Sequence, residues 1–536
     1  MLFNSVTFLF YFLPTVFGGF LILAYFKLQR AAGLWLTLAS LVFYGWWNPQ
    51  YVPLLLGSMA FNYWLGGVLM RRRSRAFLFA GIAANVALLG YFKYTGFVIQ
   101  TAADVAGASW AMPQILLPLA ISFFTFQQIA YLVDANDGEV TEHGFLNYCL
   151  FITFFPHLIA GPITHHREML PQFSNADRFR PRWDLVAVGM TLFFIGLFKK
   201  VLVADPFGTY ARPIFEQARI GGVQFLEAWT GALSYTLQIY FDFSGYTDMA
   251  IGLGLLFGIS LPPNFNSPYK ARNIIDFWNR WHMTLTRFLT AYIYNPIVVA
   301  MTRRRATKGL PLPRRGRMSP ETFVALVAFP TIFTMFISGV WHGAGWQFVA
   351  FGLLHGVYLI VAHAWRQWKV HQGLPLESAN PLNIAASVGL TFLCVMVALV
   401  FFRAHNIAAA LNILSGMAGL NGAALPQRLQ TMPLLGALAE GVGASFGDIT
   451  ALTPSHAVRI ALFLIVVWAF PNSIQWLRNF PTALNLHPPA SWLERYSSLF
   501  RWSPSIPTGV AMGAVSVVVM LYATSVAPTE FLYFQF

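Results

Sequence analysis

Apolar stretches, each about as long as the ~20 residues a helix needs to cross ~30 Å of hydrocarbon, recur along the whole chain. They fall near residues 6–25, 32–47, 51–70, 77–92, 115–133, 145–164, 185–203, 224–257, 321–340, 345–364, 383–402, 457–470 and 507–525. The stretch at 224–257 is long enough for two short elements. Together they predict an all-α polytopic membrane protein with about 11–14 membrane helices. Composition agrees, since 57% of the 536 residues are hydrophobic and only 10% are charged. A soluble domain has about 25% charged residues. So little polar surface excludes a disordered chain, a fibrous one and a soluble enzyme on a single anchor.

The first stretch lacks a basic flank and a small-residue cleavage site, so a retained helix is expected there rather than a signal peptide. Cys149 and Cys394 both lie in apolar sequence. Two thiols make neither a disulfide framework nor a zinc cluster, and both are expected in the core. In a soluble protein the net charge of +14 would suggest nucleic acid. Its placement says otherwise. Lys27 and Arg30 follow the first stretch, Arg71, Arg72, Arg73 and Arg75 follow the third, and Arg303, Arg304, Arg305, Lys308, Arg314, Arg315 and Arg317 fill one loop. Basic loops stay cytoplasmic, so most of the surplus reflects topology and nucleic acid drops out as a partner. Alternation then predicts an N-terminus on the outer, periplasmic-type side, with the acidic run from Asp134 to Glu139 on the cytoplasmic side beside the basic loops. No internal repeat is visible. The Ala- and Gly-rich stretch 405–455 is expected to form amphipathic surface helices.

Two regions, 155–168 and 240–300, are apolar yet interrupted by Pro, Gly and ionisable residues. Irregular backbone at membrane depth persists only inside protein or beside a water-filled cavity, so these regions are the expected interior. Ionisable groups there are functional candidates by default. His342 joins two stretches and is followed by Gly343 and Gly345, where the helix weakens and a substrate can approach the backbone. In apolar surroundings its imidazole is expected to be neutral, with a lone pair ready to take a proton. The alternative is a hydrogen-bonded interhelical histidine whose glycines serve packing.

Within Asp276 to Arg287, a helix would put Asn279, His282 and Thr286 on one face, with Trp278 and Trp281 offset from it. That face lines a polar channel, or else the segment is an interfacial helix with Trp and Arg at headgroup level. Asp242 and Asp248 fall about 240° apart on a helix. They are no catalytic pair unless Gly245 breaks the turn, and hydrogen bonding or pairing with Lys or Arg is the favoured role. Phe155-Pro156-His157, with Gly161-Pro162 behind it, predicts a re-entrant loop. Adjacent His165 and His166 suit solvent better than a metal, which wants i, i+4 spacing on a helix, so no metal site is expected. His355 would face about 220° away from His342 on a single helix and suits a packing or supporting role. No nucleophile elbow, phosphate loop, zinc-protease motif or voltage-sensor pattern occurs.

Read as ordered strings, these residues resemble the membrane-bound O-acyltransferase (MBOAT) family, and within it the bacterial alginate O-acetyltransferase branch. The resemblance rests on Asp242-Phe243-Ser244-Gly245-Tyr246-Thr247-Asp248, Phe277-Trp278-Asn279-Arg280-Trp281-His282, Val340-Trp341-His342-Gly343 and Leu354-His355-Gly356. Tyr91-Phe92-Lys93-Tyr94, the Phe155 to Pro162 string, Phe198 to Asp205 and the ending Phe531 to Phe536 extend it over the chain in order. Where that pattern continues with Arg-Asp-Tyr and a Pro-Leu-Gly-Gly turn, this chain reads Arg287-Phe288-Leu289 up to Pro296 and then a longer basic loop.

The resemblance implies a ring of tilted and re-entrant helices around a central tunnel. It implies one integral-membrane domain over 1–536, with N-terminal helices at 1–140, a catalytic core at 141–370 and C-terminal helices at 371–536. It also implies an enzyme of a bacterial inner membrane that takes an acetyl group from cytoplasmic acetyl-coenzyme A, with no bound cofactor, for O-acetylation of an exported polysaccharide such as alginate or cellulose. A periplasmic acetyltransferase or acceptor protein and membrane lipid are the implied partners. His342 is expected as general base and His282 as its companion. Trp281, Asn279, Trp341, Asp242, Tyr246 and His355 are expected along the tunnel. Arg303, Arg304, Arg305 and Lys308 would attract the anionic donor or simply mark a cytoplasmic loop. A secondary transporter or lipid flippase, or a scaffold subunit of a polysaccharide-export complex without acyl transfer, is the competing reading.

Overall fold

At several helix starts the sequence places a capping side chain directly before a proline. In the computed structural model the side chains of Asn380, Ser319 and Thr453 accept from the backbone N–H groups of Leu382, Thr322 and His456. Pro381, Pro320 and Pro454 open the corresponding helices. Proline costs nothing at that position because its missing N–H has no partner in the first turn. The structure describes residues 1–141, 143–313, 318–430, 441, 445–447, 453–480, 482–484 and 502–532. Among them the chain is helical apart from loops and two three-residue parallel strands, Ala424–Pro426 and Ser445–Gly447.

Eight helices among the described residues are long and apolar enough to cross a membrane: Thr7–Tyr25, Pro49–Arg71, Arg75–Ala106, Trp183–Gln217, Pro320–His342, Trp346–Gln372, Pro381–Arg403 and Ile506–Ser525. The chain is therefore an all-α polytopic membrane protein. Other predicted stretches form shorter or interrupted helices. Gln29–Gly45 and Pro454–Ala469 are short. Ile121–Asp137 buries 13 of its residues, including Thr125, Gln127 and Gln128. The stretch at 145–164 breaks into Phe145–Thr153, Phe155–Leu158 and a loop before His166–Ser174, as its prolines predict. The stretch at 224–257 is one unbroken helix, Phe225–Leu256. Of the region 405–455, Ile407–Met417 is helical, and residues 431–440, 442–444 and 448–452 lie outside the described residues.

The chain divides into two compact units, one of residues 1–202, 243–264 and 473–536, the other of residues 203–242 and 265–472. In the first, phenylalanines fill the interior. Phe3, Phe8, Phe12, Phe43 and Phe155 stand ring to ring at 4.9–6.2 Å. Beside them, glycines bring two helices into backbone contact. A Cβ on Gly252 would lie 2.8 Å from the Phe193 nitrogen, and one on Gly245 would lie 2.8 Å from the Gly196 oxygen. Such small-residue seams are how helices pack where lipid removes the hydrophobic drive.

Along that seam the helix turns wide at Lys199–Ala204, a π segment. Both adjacent lysines find partners there. Lys199 Nζ donates to Asp248 Oδ2 at 2.6 Å and to Ser473 Oγ at 3.1 Å. Lys200 Nζ donates to the Glu530 carbonyl at 2.9 Å and sits 4.6 Å from the Phe531 ring. Gly245 does not interrupt its helix, so Asp248 is a structural counter-ion and not half of a carboxylate pair.

Candidate active site

In the second unit a helical hairpin carries His342. Phe329–His342 ends at the histidine, Gly343 to Gly345 turn the chain, and Trp346–Gln372 runs on. The hairpin closes tightly because Gly339 and Gly352 face each other. A Cβ on Gly352 would lie 2.9 Å from the Gly339 Cα and collide with the Met335 carbonyl. Gly352→Val is expected to lower stability by about 1–3 kcal/mol through overpacking, read as a fall in Tm of the detergent-solubilised protein.

His282 arrives by another route. The helix Ile274–Trp278 stops, and His282 takes a left-handed backbone conformation (φ 43°, ψ 51°) before Met283–Leu289 begins. The shared helical face of Asn279, His282 and Thr286 therefore does not form, and Asn279 is exposed. Non-glycine residues rarely adopt positive φ, and such residues cluster at functional sites. The turn is fixed by polar bonds around it. Arg280 Nε donates to Asp276 Oδ1 at 2.7 Å, Asn266 N donates to the Arg280 carbonyl at 2.9 Å, and Thr286 Oγ1 donates to the Trp278 carbonyl at 3.1 Å.

These two routes converge. The His282 and His342 rings lie 6.4 Å apart, centroid to centroid, and both are buried. Trp341 stands 6.2 Å from His282, while Phe351 and Phe402 meet the His342 ring edge-on at 5.9 and 5.1 Å. At that ring separation one substrate oxygen can bridge the two imidazoles through ordinary hydrogen bonds. Trp281 packs instead among Phe265, Tyr269 and Phe277.

The other expected residues divide. His355 lies on the second arm of the hairpin, where its Nδ1 accepts from Trp278 Nε1 at 3.3 Å and its ring meets Phe351 at 4.7 Å. It braces the tryptophan beside the His282 turn. Asp242 is buried at the end of its segment of the second unit. Tyr246 belongs to the first unit, where its hydroxyl accepts from the Ala160 N–H at 3.4 Å. Among the basic residues, Arg303, Arg304 and Arg305 fall on the helix Asn295–Thr307 rather than in the expected loop, and Arg303, Arg304 and Lys308 are exposed. Arg305 is buried, and its guanidinium donates to the Pro311 carbonyl at 2.9 and 3.1 Å and to Thr322 Oγ1 at 3.0 Å. Arg305→Ala is expected to loosen that loop and destabilise by about 1–3 kcal/mol, the cost of orphaned buried acceptors, measurable by thermal unfolding. Arg314, Arg315 and Arg317 lie outside the described residues.

Three groups were not singled out from sequence: Phe402, which is 60 residues from His342 in the chain, and the hydroxyls of Thr334 and Ser338. Nothing local marks Phe402. The hydroxyls carry a signal, because both recur at helical spacing before His342.

His165 and His166 also differ from expectation. His166 is buried, and both Nε2 atoms bond Asp134 Oδ2, at 3.0 and 2.7 Å. The three ligand atoms lie within 4.8 Å of one another. His165 Nδ1, however, accepts the Arg167 N–H at 3.3 Å, which leaves the proton on Nε2. A metal-bound imidazole does the reverse and donates from its second nitrogen, so the cluster fits a hydrogen-bonded carboxylate rather than an ion.

The chain is thus a multi-pass membrane protein with two buried histidines meeting on broken helices. The profile of the membrane-bound O-acyltransferase family matches residues 138–309. Over 460 residues the chain is 43% identical to the peptidoglycan O-acetyltransferase of Helicobacter pylori, covering 79% of this chain and 81% of that one. It is 36% identical over 434 residues to the probable alginate O-acetylase AlgI of Pseudomonas aeruginosa, covering 78% and 75%. With the teichoic acid D-alanyltransferase of Bacillus subtilis it shares 31% identity over 276 residues, 51% and 65% of the two chains. The chain belongs to the membrane-bound O-acyltransferase family and is an acyltransferase, which decides against the transporter and the scaffold.

Proposed function

We propose that this acyltransferase moves an acetyl group from cytoplasmic acetyl-coenzyme A to a hydroxyl presented on the periplasmic side of a bacterial inner membrane, for O-acetylation of an extracytoplasmic glycan. The observation that carries this reading is the buried pair His282 and His342, 6.4 Å apart within an aromatic cage. His342 takes the proton of the acceptor hydroxyl, a role worth about 10²–10⁴ in rate. The acceptor oxygen bonds the thioester carbonyl carbon, the carbon–sulfur bond breaks, and the leaving thiolate recovers the proton from His342. His282 donates to the developing oxyanion or holds the thioester in line. Exclusion of water by the cage strengthens both interactions.

The 43% identity with a peptidoglycan O-acetyltransferase makes the cell-wall glycan the first acceptor to test, ahead of alginate, cellulose or another exopolysaccharide. A periplasmic acetyltransferase or acceptor protein completes transfer onto the polymer. Exposed Arg303, Arg304 and Lys308 face the cytoplasm and draw in the anionic donor. The N-terminus lies outside, and 1–536 works as one membrane domain with 141–370 as its catalytic core. Mass spectrometry of cell-wall and secreted glycans from cells with and without the protein tests this. O-acetyl groups are expected to disappear with the protein, and unchanged acetylation of every glycan would refute the assignment.

A further inference from the structure

Hydroxyls on this chain's helices usually satisfy themselves. Thr37, Ser40, Thr153 and Thr391 each donate to the carbonyl four residues earlier at 2.7–2.9 Å. That back-bond is the ordinary resting state of Ser and Thr in an apolar helix. Thr334 and Ser338 depart from it. Both are buried, at 7% and 0% exposure, and among the described residues neither hydroxyl oxygen has a hydrogen-bond partner.

Their positions give the departure meaning. Thr334, Ser338 and His342 follow at i, i+4 and i+8 on Phe329–His342, so they form one row within about 80° of helix surface. Phe329, Phe333 and Phe336 of the same helix are exposed. The helix therefore presents rings outward and hydroxyls inward, and its hydroxyl row ends on the imidazole. Among the described residues Ser234, Ser244 and Thr125 also lack partners, but none belongs to a row that ends at a buried histidine. An unmatched buried hydroxyl costs about 1–3 kcal/mol. An acyl chain packed against the row would leave that cost in place, whereas an O–H group relieves it.

We infer that Thr334 and Ser338 form a binding row for the O–H of the attacking nucleophile, with Ser338 holding that oxygen at His342. The nucleophile is the acceptor hydroxyl in transfer and a water in hydrolysis. This rests on the proposed role of His342. The test uses the full chain in detergent with acetyl-coenzyme A, following thiol release in water and ester formation with glycerol as a hydroxylic acceptor. Ser338→Ala is expected to lower turnover about tenfold, the loss of one hydrogen bond, with the KM for acetyl-coenzyme A unchanged. Ser338→Thr restores it. A lowered ratio of glycerol ester to hydrolysis assigns the row to the acceptor, and a raised ratio assigns it to water. Wild-type turnover in folded Ser338→Ala, or a change confined to the donor KM, would overturn the inference. His342→Ala run in parallel separates the two failures. If it is inactive while Ser338→Ala is normal, only the row falls. If it is active, the role of His342 falls with it.

Discussion

His342→Ala is expected to reduce acyl transfer by about 10²–10⁴-fold in a protein that still folds. The side chain closes the end of its helix and touches Phe351 and Phe402, so truncation removes the proposed base and leaves a small cavity. His342→Gln separates these effects, because it retains volume and hydrogen bonding but cannot accept and return a proton. Both variants are expected to be inactive, with only the alanine variant losing some stability. For His282, asparagine is the informative replacement, since it tolerates the left-handed backbone that the turn requires. His282→Asn is expected to cost about 10²–10³-fold, the usual loss for one oxyanion donor. Steady-state thiol release with and without acceptor measures all three.

The largest effect on stability is expected at Lys199. Its ammonium meets Asp248 at 2.6 Å, and Ser473 Oγ donates to the same carboxylate oxygen at 2.6 Å. Removing one member of a buried pair strands the other charge, at a cost of about 3–5 kcal/mol, whereas replacing both with apolar residues of similar volume is often neutral. Lys199→Met alone is therefore expected to lower the Tm sharply, and Lys199→Met with Asp248→Leu to recover most of it. Thermal unfolding in detergent, compared at equal lipid content, reads the difference. A double variant as unstable as the single one would show that the pair does more than neutralise charge.

Much of this protein was legible from periodicity and from the scarcity of charge. Apolar stretches located the membrane helices because span length is set by the bilayer and not by packing. Pro156, Gly161 and Pro162 located the broken segment because each removes something a helix needs. The face shared by Asn279, His282 and Thr286 failed for a related reason. Helical spacing assumes a continuous helix, and the left-handed turn at His282 carries no glycine to announce it. Likewise the 220° between His342 and His355 assumed one helix where the chain turns at Gly343 to Gly345, so the two rings both reach Phe351. The buried pairing of Asp134 with His165 and His166 joins residues about thirty positions apart, a contact no local pattern encodes.

The proposed role of His342 is to take the acceptor proton while an acyl group passes from a thioester to a hydroxyl. The most direct measurement places the purified full chain in proteoliposomes with acetyl-coenzyme A carrying a labelled acetyl group and with glycerol as hydroxylic acceptor, and follows free thiol and labelled ester together. Labelled ester accompanied by at least as much free thiol from the wild-type protein, and neither from His342→Gln, is the predicted result. Labelled ester formed at the wild-type rate by folded His342→Gln would contradict it.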